Sequence, residues 1–342
     1  MDERMIAKCN TNGYREYRIP GILSVKDGFL LAFEGRVDDL NDWGDIDIII
    51  MKLEPDGTLH EILKIGESHL PADGTMRTYS NPVLVPDGER VHLIYHRNYE
   101  QAFVVTSENG GRSWSEAREI TDVYRRFPYE WNVCATGPGH GIQTGRGRLI
   151  APVWLVNGEL YEDGMRRRHW PSVAGCVYSD DHGLTWQAGG VADFMKDANE
   201  TSVAELEDGG LLFNYRNRNV DRHRVLAVSE DGGESLGERW TSAELRDPMC
   251  FGGMTVNGRE VLFVNCDTET KRTDLAVKRS MDRGKNWEKI WEVDSVGGYA
   301  DIAVVNGEIY VFYERQSYEE NIVKELVLKN RKESWNRDEE GI

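Results

Sequence analysis

The stretches SENGGRSW (107–114), SDDHGLTW (179–186), SEDGGESL (229–236) and SMDRGKNW (280–287) repeat one pattern, Ser-x-(Asp/Asn)-x-Gly-x-x-Trp, with Leu236 replacing Trp in the third. The pattern describes a turn between two strands. The Asp side chain bonds nearby backbone N–H groups, Gly takes a positive φ, and the Trp packs back under the turn. Its serines stand 72, 50 and 51 residues apart. A repeat of about 50 residues with one such turn is the size of a propeller blade. The interval of 72 fits a blade that carries an insertion.

Short β-rich runs lead into these turns: QAFVVTS, AGCVYSD, VLAVSE and LAVKRS. Others read as strands too, among them GILSV, GFLLAFEG, DIDIIIMKL, VHLIYH, GRLIAPVWL, GLLFNYR, EVLFVNC and EIYVFYE. No segment keeps a 3.6-residue apolar period, so helix is expected only in the 118–131 and 190–198 stretches. The expected fold is all-β, a six-bladed β-propeller. No composition shift divides the chain, so residues 1–342 read as one catalytic-sized domain with a charged C-terminal tail at about 328–342. A propeller must be sealed, and RMIAKCN (4–10) is expected to pair beside the last strands, near VKELVLK (323–329).

The net charge of −18 argues against nucleic-acid partners and against adhesion to anionic membranes, both of which need a basic face. No stretch approaches the roughly 18 apolar residues of a membrane span. The five cysteines are widely spaced and form no CxxC pair, and the eight histidines form no HxH or HExxH cluster. Neither a disulfide framework, a metal site nor any other cofactor is expected. The opening MDERMIAKCN lacks the basic start and apolar run of a secretory signal, so the expected location is cytoplasmic, or secreted or periplasmic if a leader has been removed.

Charged or polar residues stand isolated within otherwise apolar β text at Arg18 in YRIP, Arg36 in LLAFEGR, Asp42 in DWGDID, Glu200 in NETSVAEL, Arg216 in FNYR, Arg272 in RTDL, Tyr299 in YADI and Glu314 in FYE. An arginine aimed at a propeller axis needs an anion beside it. Together with NPVLV and the GPGHGIQ and GRLIAPV blocks, this ordered set resembles the exo-sialidases of the bacterial and animal type, six-bladed propellers with Asp-box turns. The resemblance runs over nearly the whole chain.

The resemblance implies a three-arginine clamp on a substrate carboxylate, falling here on Arg18, Arg216 and Arg272. It places Glu314 as the buried partner of the first arginine, and Arg36 near the sugar's C4 substituent. Tyr299 becomes the nucleophile, Glu200 its partner and Asp42 the acid/base. Asp38, Asp39, Asp45 and Asp47 lie close to Asp42 and stay open as alternatives. The chemistry agrees with such a set. Guanidinium forks bind carboxylates bidentately. A neutral phenol avoids the repulsion a carboxylate nucleophile would meet at an anomeric carbon bearing COO⁻, and sialidases use a tyrosine for this reason. The expected substrate is a sialylated glycan or a related sugar-acid glycoside such as one of KDN. A catalytically silent glycan-binding propeller is the alternative from another class.

Taken singly, each residue has a plainer reading. The arginines could be surface strand residues, Tyr299 a packed strand tyrosine, Glu200 a turn carboxylate and Asp42 a turn cap. The joint match of eight positions in order is what distinguishes the chain. His140, in GPGHG, reads as structural within a glycine-rich loop, and Trp43 as a pocket wall or packing residue.

Overall fold

In the computed structural model, which describes residues 2–37, 41–66, 77–164, 166–218, 221–317 and 322–332, six sheets of four or five strands, antiparallel apart from the short pairing of Gly139–His140 with Val83 and Leu84, make a six-bladed propeller. Blade 1 runs outward from Glu16–Val25 through Gly28–Arg36 and Ile46–Leu53 to Leu59–Ile65. The inner strands of blades 2 to 5 are Tyr79–Asp87, Val133–Thr136, Thr201–Glu205 and Gly253–Asn257. Blade 6 takes Ala300–Val305, Glu308–Ser317 and Ile322–Lys332 from the C-terminal side, and its outer strand is Glu3–Lys8. Glu3 faces Lys329 and Met5 faces Val327 in antiparallel register, which joins the two ends of the ring as the sequence implied. Residues 328–332 of the expected tail therefore belong to a strand, and residues 333–342 lie outside the described residues.

The four repeated turns share one hydrogen-bond pattern. The Ser Oγ accepts the N–H of the Gly four residues on, at 2.8 Å for Gly111 and Gly233 and 2.9 Å for Gly183 and Gly284. The Asp or Asn Oδ1 accepts the N–H two residues further, at 2.9 Å in the first turn and 2.8 Å in the second. All four glycines have positive φ. Each also presses on the preceding blade. A Cβ on Gly111 would lie 2.6 Å from Leu30, one on Gly183 2.4 Å from His92, and one on Gly284 2.7 Å from Leu212. Six apolar clusters fill the spaces between consecutive blades, so the core is a ring of interfaces.

This dual constraint makes a test. Gly183→Ala combines a left-handed backbone, which costs about 1–2 kcal/mol, with overpacking worth about 1–3 kcal/mol. Gly209 also has positive φ, but nothing lies within 4 Å of the Cβ it would gain. Thermal melting should therefore show a clearly larger fall in Tm for Gly183→Ala than for Gly209→Ala. Equal falls would contradict a role in blade spacing.

Helix is scarcer than expected. Within 118–131 only Thr121–Tyr124 is helical, one turn long, and 190–198 holds no helix. In the first stretch Val123, Tyr124 and Phe127 wedge between blades 2 and 3, and Pro128 follows. In the second, Gln187–Val191 is an edge strand, and Ala192 and Ala198 pack between blades 3 and 4 without a regular period.

Candidate active site

Arg18 lies on the inner strand of blade 1, at a bulge between Arg18 and Gly21 where Ile19 has a φ of 61°. That conformation is unfavourable for a β-branched residue and persists only when its surroundings impose it. Here the Ile19 N–H donates to Glu314 Oε1 at 3.0 Å while Arg18 Nε donates to the same oxygen at 2.7 Å. The other oxygen of Glu314 accepts the Tyr299 N–H at 3.0 Å. A side chain at Gly298 would strike that carboxylate, which explains the glycine. Burial would raise the Glu314 pKa, but Arg18, Arg272 and the Ile19 N–H outweigh it and hold the carboxyl below its ordinary range.

Glu200 and Arg216 are brought face to face by the hairpin of Thr201–Glu205 and Leu211–Tyr215, which turns at EDGG (207–210). The Arg216 N–H donates to the Glu200 carbonyl at 2.9 Å, and the two side chains form an ion pair. Tyr299 Oη donates to Glu200 Oε1 at 2.5 Å and accepts from Arg216 Nη1 at 2.6 Å. The guanidinium carbons of Arg18, Arg216 and Arg272 stand 5.2, 5.8 and 5.1 Å from the centre of the Tyr299 ring. Burial, with Glu200, pushes the phenol pKa well up against the lowering effect of the three arginines. Tyr299 is therefore a neutral phenol at neutral pH, hydrogen-bonded to the Glu200 carboxylate.

The three arginines are not equally engaged. Arg18 and Arg216 each pair with a glutamate, whereas Arg272 has no carboxylate partner among the described residues and donates to the Met249 carbonyl at 3.3 Å. This half-buried guanidinium leaves a net positive charge beside the phenol.

Arg36 is fully buried and donates to Glu34 Oε2 at 2.8 Å and to Asp42 Oδ1 at 3.1 Å. The Asp42 carboxylate is half-exposed, with its Oδ2 3.9 Å from His169 Nδ1. Burial would raise its pKa, but Arg36, His169 and Arg18 outweigh that and hold it well below the carboxylate range. Of the alternatives, Asp47 is buried and accepts from Tyr14 Oη at 2.7 Å, and Asp45 faces the Arg77 N–H at 3.5 Å. Asp38 and Asp39 lie outside the described residues. His140 pairs with Asp301 at 2.9 Å, and Asp301 also accepts the Ile22 N–H at 2.9 Å, tying three blades together at the axis.

A BNR repeat-like domain model matches residues 45–312. The chain belongs to the BNR repeat-like family. A sialidase of Micromonospora viridifaciens is 27% identical over 350 residues, covering 91% of the chain and 52% of that protein. The chain thus spans about half the length of this relative. Among solved structures, the Hadza microbial sialidase Hz136 superposes with a TM-score of 0.77 at 23% identity, over 94% of the chain and 66% of that one. The Trypanosoma rangeli sialidase in complex with 2,3-difluorosialic acid, a covalent intermediate, gives 0.72 at 18% identity, over 96% and 59%. These likenesses establish the propeller.

In this BNR repeat-like chain the structure also draws in residues that the sequence did not single out. Glu34 holds Arg36 much as Glu314 holds Arg18. Its Oε1 accepts the N–H of Asn81, which sits at a second bulge with a φ of 50°. The signal was present, since Tyr79-Ser80-Asn81-Pro82 repeats the Tyr-x-x-Pro of Tyr17-Arg18-Ile19-Pro20. Burial outweighs Arg36 and raises the Glu34 pKa. His169 gave no such signal, because it lies in a loop of the enlarged third blade with no counterpart in the other repeats.

Proposed function

We propose that the protein is a retaining exo-glycosidase that releases terminal α-linked sialic acid from glycans through a tyrosyl-linked intermediate. One observation carries this reading: three guanidiniums surround a single phenol that is hydrogen-bonded to a carboxylate. Three cations on one ring suit a ligand that brings its own anion to the atom the phenol attacks. Sialic acid does so, because its carboxylate sits on the anomeric carbon.

Arg272 and the outward donors of Arg18 and Arg216 take the carboxylate. That negative charge offsets the cations that keep Asp42 ionised and lets Asp42 carry a proton to the departing oxygen. Glu200 accepts the Tyr299 proton as the phenol oxygen bonds to the anomeric carbon, and Arg216 stabilises the developing charge. In the second step Asp42 takes a proton from water, which displaces Tyr299 and preserves the configuration. The partner is a sialylated glycan, with no nucleic acid or membrane surface involved.

A second reading keeps the mechanism but takes another 2-keto-3-deoxy sugar acid such as KDN, because the clamp reads the carboxylate common to both. Methylumbelliferyl glycosides of Neu5Ac and KDN, assayed side by side, separate these readings. Turnover of neither, with binding of a sialic-acid analogue intact, would leave a catalytically silent glycan-binding propeller.

Arg272, without a carboxylate partner among the described residues, gives a further expectation. Arg272→Lys keeps the charge but loses the planar fork, and should weaken binding of an anionic sialic-acid analogue by about 2 kcal/mol, roughly thirtyfold in Kd. Wild-type affinity by titration calorimetry would place Arg272 outside the clamp.

A further inference from the structure

The loop at 157–171 leaves blade 3 after Leu149–Val156 and returns into Ser172–Ser179. Its ends meet where the Asn157 N–H donates to the Pro171 carbonyl at 3.2 Å, and Tyr129 Oη fixes the same carbonyl at 3.0 Å. The loop carries His169 into a cage of aromatic rings, with centroids 6.0 Å from Trp43 and 5.2 Å from both Tyr99 and Trp154. Trp43 is the residue after Asp42 and itself packs on Tyr99 at 4.7 Å. One aromatic cluster therefore anchors both the segment bearing the carboxylate and the histidine beside it.

Asp42 stands between two cations of different kinds. Arg36, on Oδ1, is charged at every accessible pH. His169, 3.9 Å from Oδ2, is charged only when protonated. We infer that His169 is a positioning residue for the Asp42 carboxylate: protonated, it pairs with Oδ2 and holds Asp42 ionised, and so limits how far acid-assisted cleavage rises as pH falls. The inference rests on the reading of Asp42 as acid/base.

The charged surroundings favour such a device. Burial pushes the His169 pKa down from 6.5, Asp42 and Glu200 oppose that, and Arg216 and Arg36 reinforce it. Around Asp42 the other charges are Arg36 and Arg18, both permanent, and the buried Glu34 carboxylate, which shares Arg36 with Asp42 and whose pKa burial raises. His169 is therefore the basic neighbour of Asp42 whose charge changes with pH, gaining its proton only below the ordinary histidine range. Neutral His169 leaves Asp42 free to take a proton once the sugar carboxylate has offset the arginines. Protonated His169 adds a cation, and further acid then protonates Asp42 less readily.

The sign of the test follows. His169→Phe keeps an aromatic ring in the cage and removes both nitrogens. Without the second cation Asp42 protonates more readily in acid, so kcat/KM for sialyl-lactose should keep rising to lower pH. The optimum should move down by about one unit, the effect of a unit charge at this range under partial solvation. The methylumbelliferyl glycoside, whose phenolate leaves without a proton, should show no comparable shift.

Profiles from pH 3.5 to 8 on both substrates decide the matter. A uniform loss with an unmoved optimum on sialyl-lactose makes His169 a packing residue and overturns the inference. If melting curves show that His169→Phe is not folded, His169→Gln replaces it, being polar but unable to titrate, with the same shift expected. Asp42→Asn is measured in parallel. If that variant cleaves sialyl-lactose like the wild type, the acid/base reading fails and the inference falls with it. If it is crippled while the His169 variants leave the optimum in place, only the inference falls.

Discussion

Tyr299→Phe should lower kcat by several orders of magnitude, at least about 10³-fold, while a sialic-acid analogue still binds. The substitution removes one oxygen. That atom donates to Glu200 at 2.5 Å and accepts from Arg216 at 2.6 Å, and in the proposed reaction it is the atom that bonds to the anomeric carbon. The guanidiniums that would hold the substrate carboxylate flank the ring, which phenylalanine preserves. Arg18 also remains anchored by Glu314, whose contact with residue 299 is through the backbone N–H. The loss should therefore fall on the chemical step, with analogue affinity within a few-fold of the wild type. Near-normal turnover in this variant would sink the nucleophile assignment. A matching collapse of analogue binding would make Tyr299 part of the carboxylate site instead.

Asp42→Ala should separate substrates by their leaving groups. A sugar hydroxyl departs poorly without a proton, whereas methylumbelliferone leaves as its anion. General acid catalysis is worth about 10²–10⁴-fold, so sialyl-lactose cleavage should fall by that much more than cleavage of the aryl glycoside. The variant also lacks the base for the second step, so the aryl substrate should give a burst followed by slow turnover. Arg36 makes the experiment sharper. It is fully buried between Glu34 and Asp42, and losing one of two carboxylates still leaves it paired with Glu34. The fold should therefore tolerate the change, which a melting curve checks. Equal slowing of both substrates without a burst would reduce Asp42 to a turn residue and move the search to its neighbouring aspartates.

The architecture was legible because it is periodic and local. Four turns with the same Ser, Asp and Gly offsets need no tertiary information to form, since their hydrogen bonds close within six residues. The strands between them follow from short β-rich runs. Of the two helical expectations, 118–131 holds a single turn, Thr121–Tyr124, and 190–198 holds none, because the apolar residues there serve interface packing. Val123, Tyr124 and Phe127 recur at near-helical intervals because three side chains must enter the gap between blades 2 and 3.

The candidate site was legible in part. Arg18, Glu200, Arg216, Arg272, Tyr299 and Glu314 stand out as polar residues in apolar strands, and the chain's family resemblance orders them. Glu34 was marked only indirectly, by the second Tyr-x-x-Pro at residues 79–82, because a glutamate with an arginine two residues on reads as an ordinary strand pair. Only the bulge at Asn81, on the next blade, shows that its carboxylate is a buried anchor.

The sequence by itself determined the repeat, the number of blades, the closure of the two ends and the residue types that meet at the axis. Each of these rests on local periodicity or on side-chain chemistry. The tertiary structure alone decided which charges neutralise one another: that Arg272 has no carboxylate partner among the described residues, that Arg36 is shared between Glu34 and Asp42, and that His169 arrives beside Asp42. Charge pairings in the fold join residues as far as 296 positions apart, as Arg18 and Glu314 are. Electrostatic energy depends on separation in space and on burial, neither of which is written in the order of the chain.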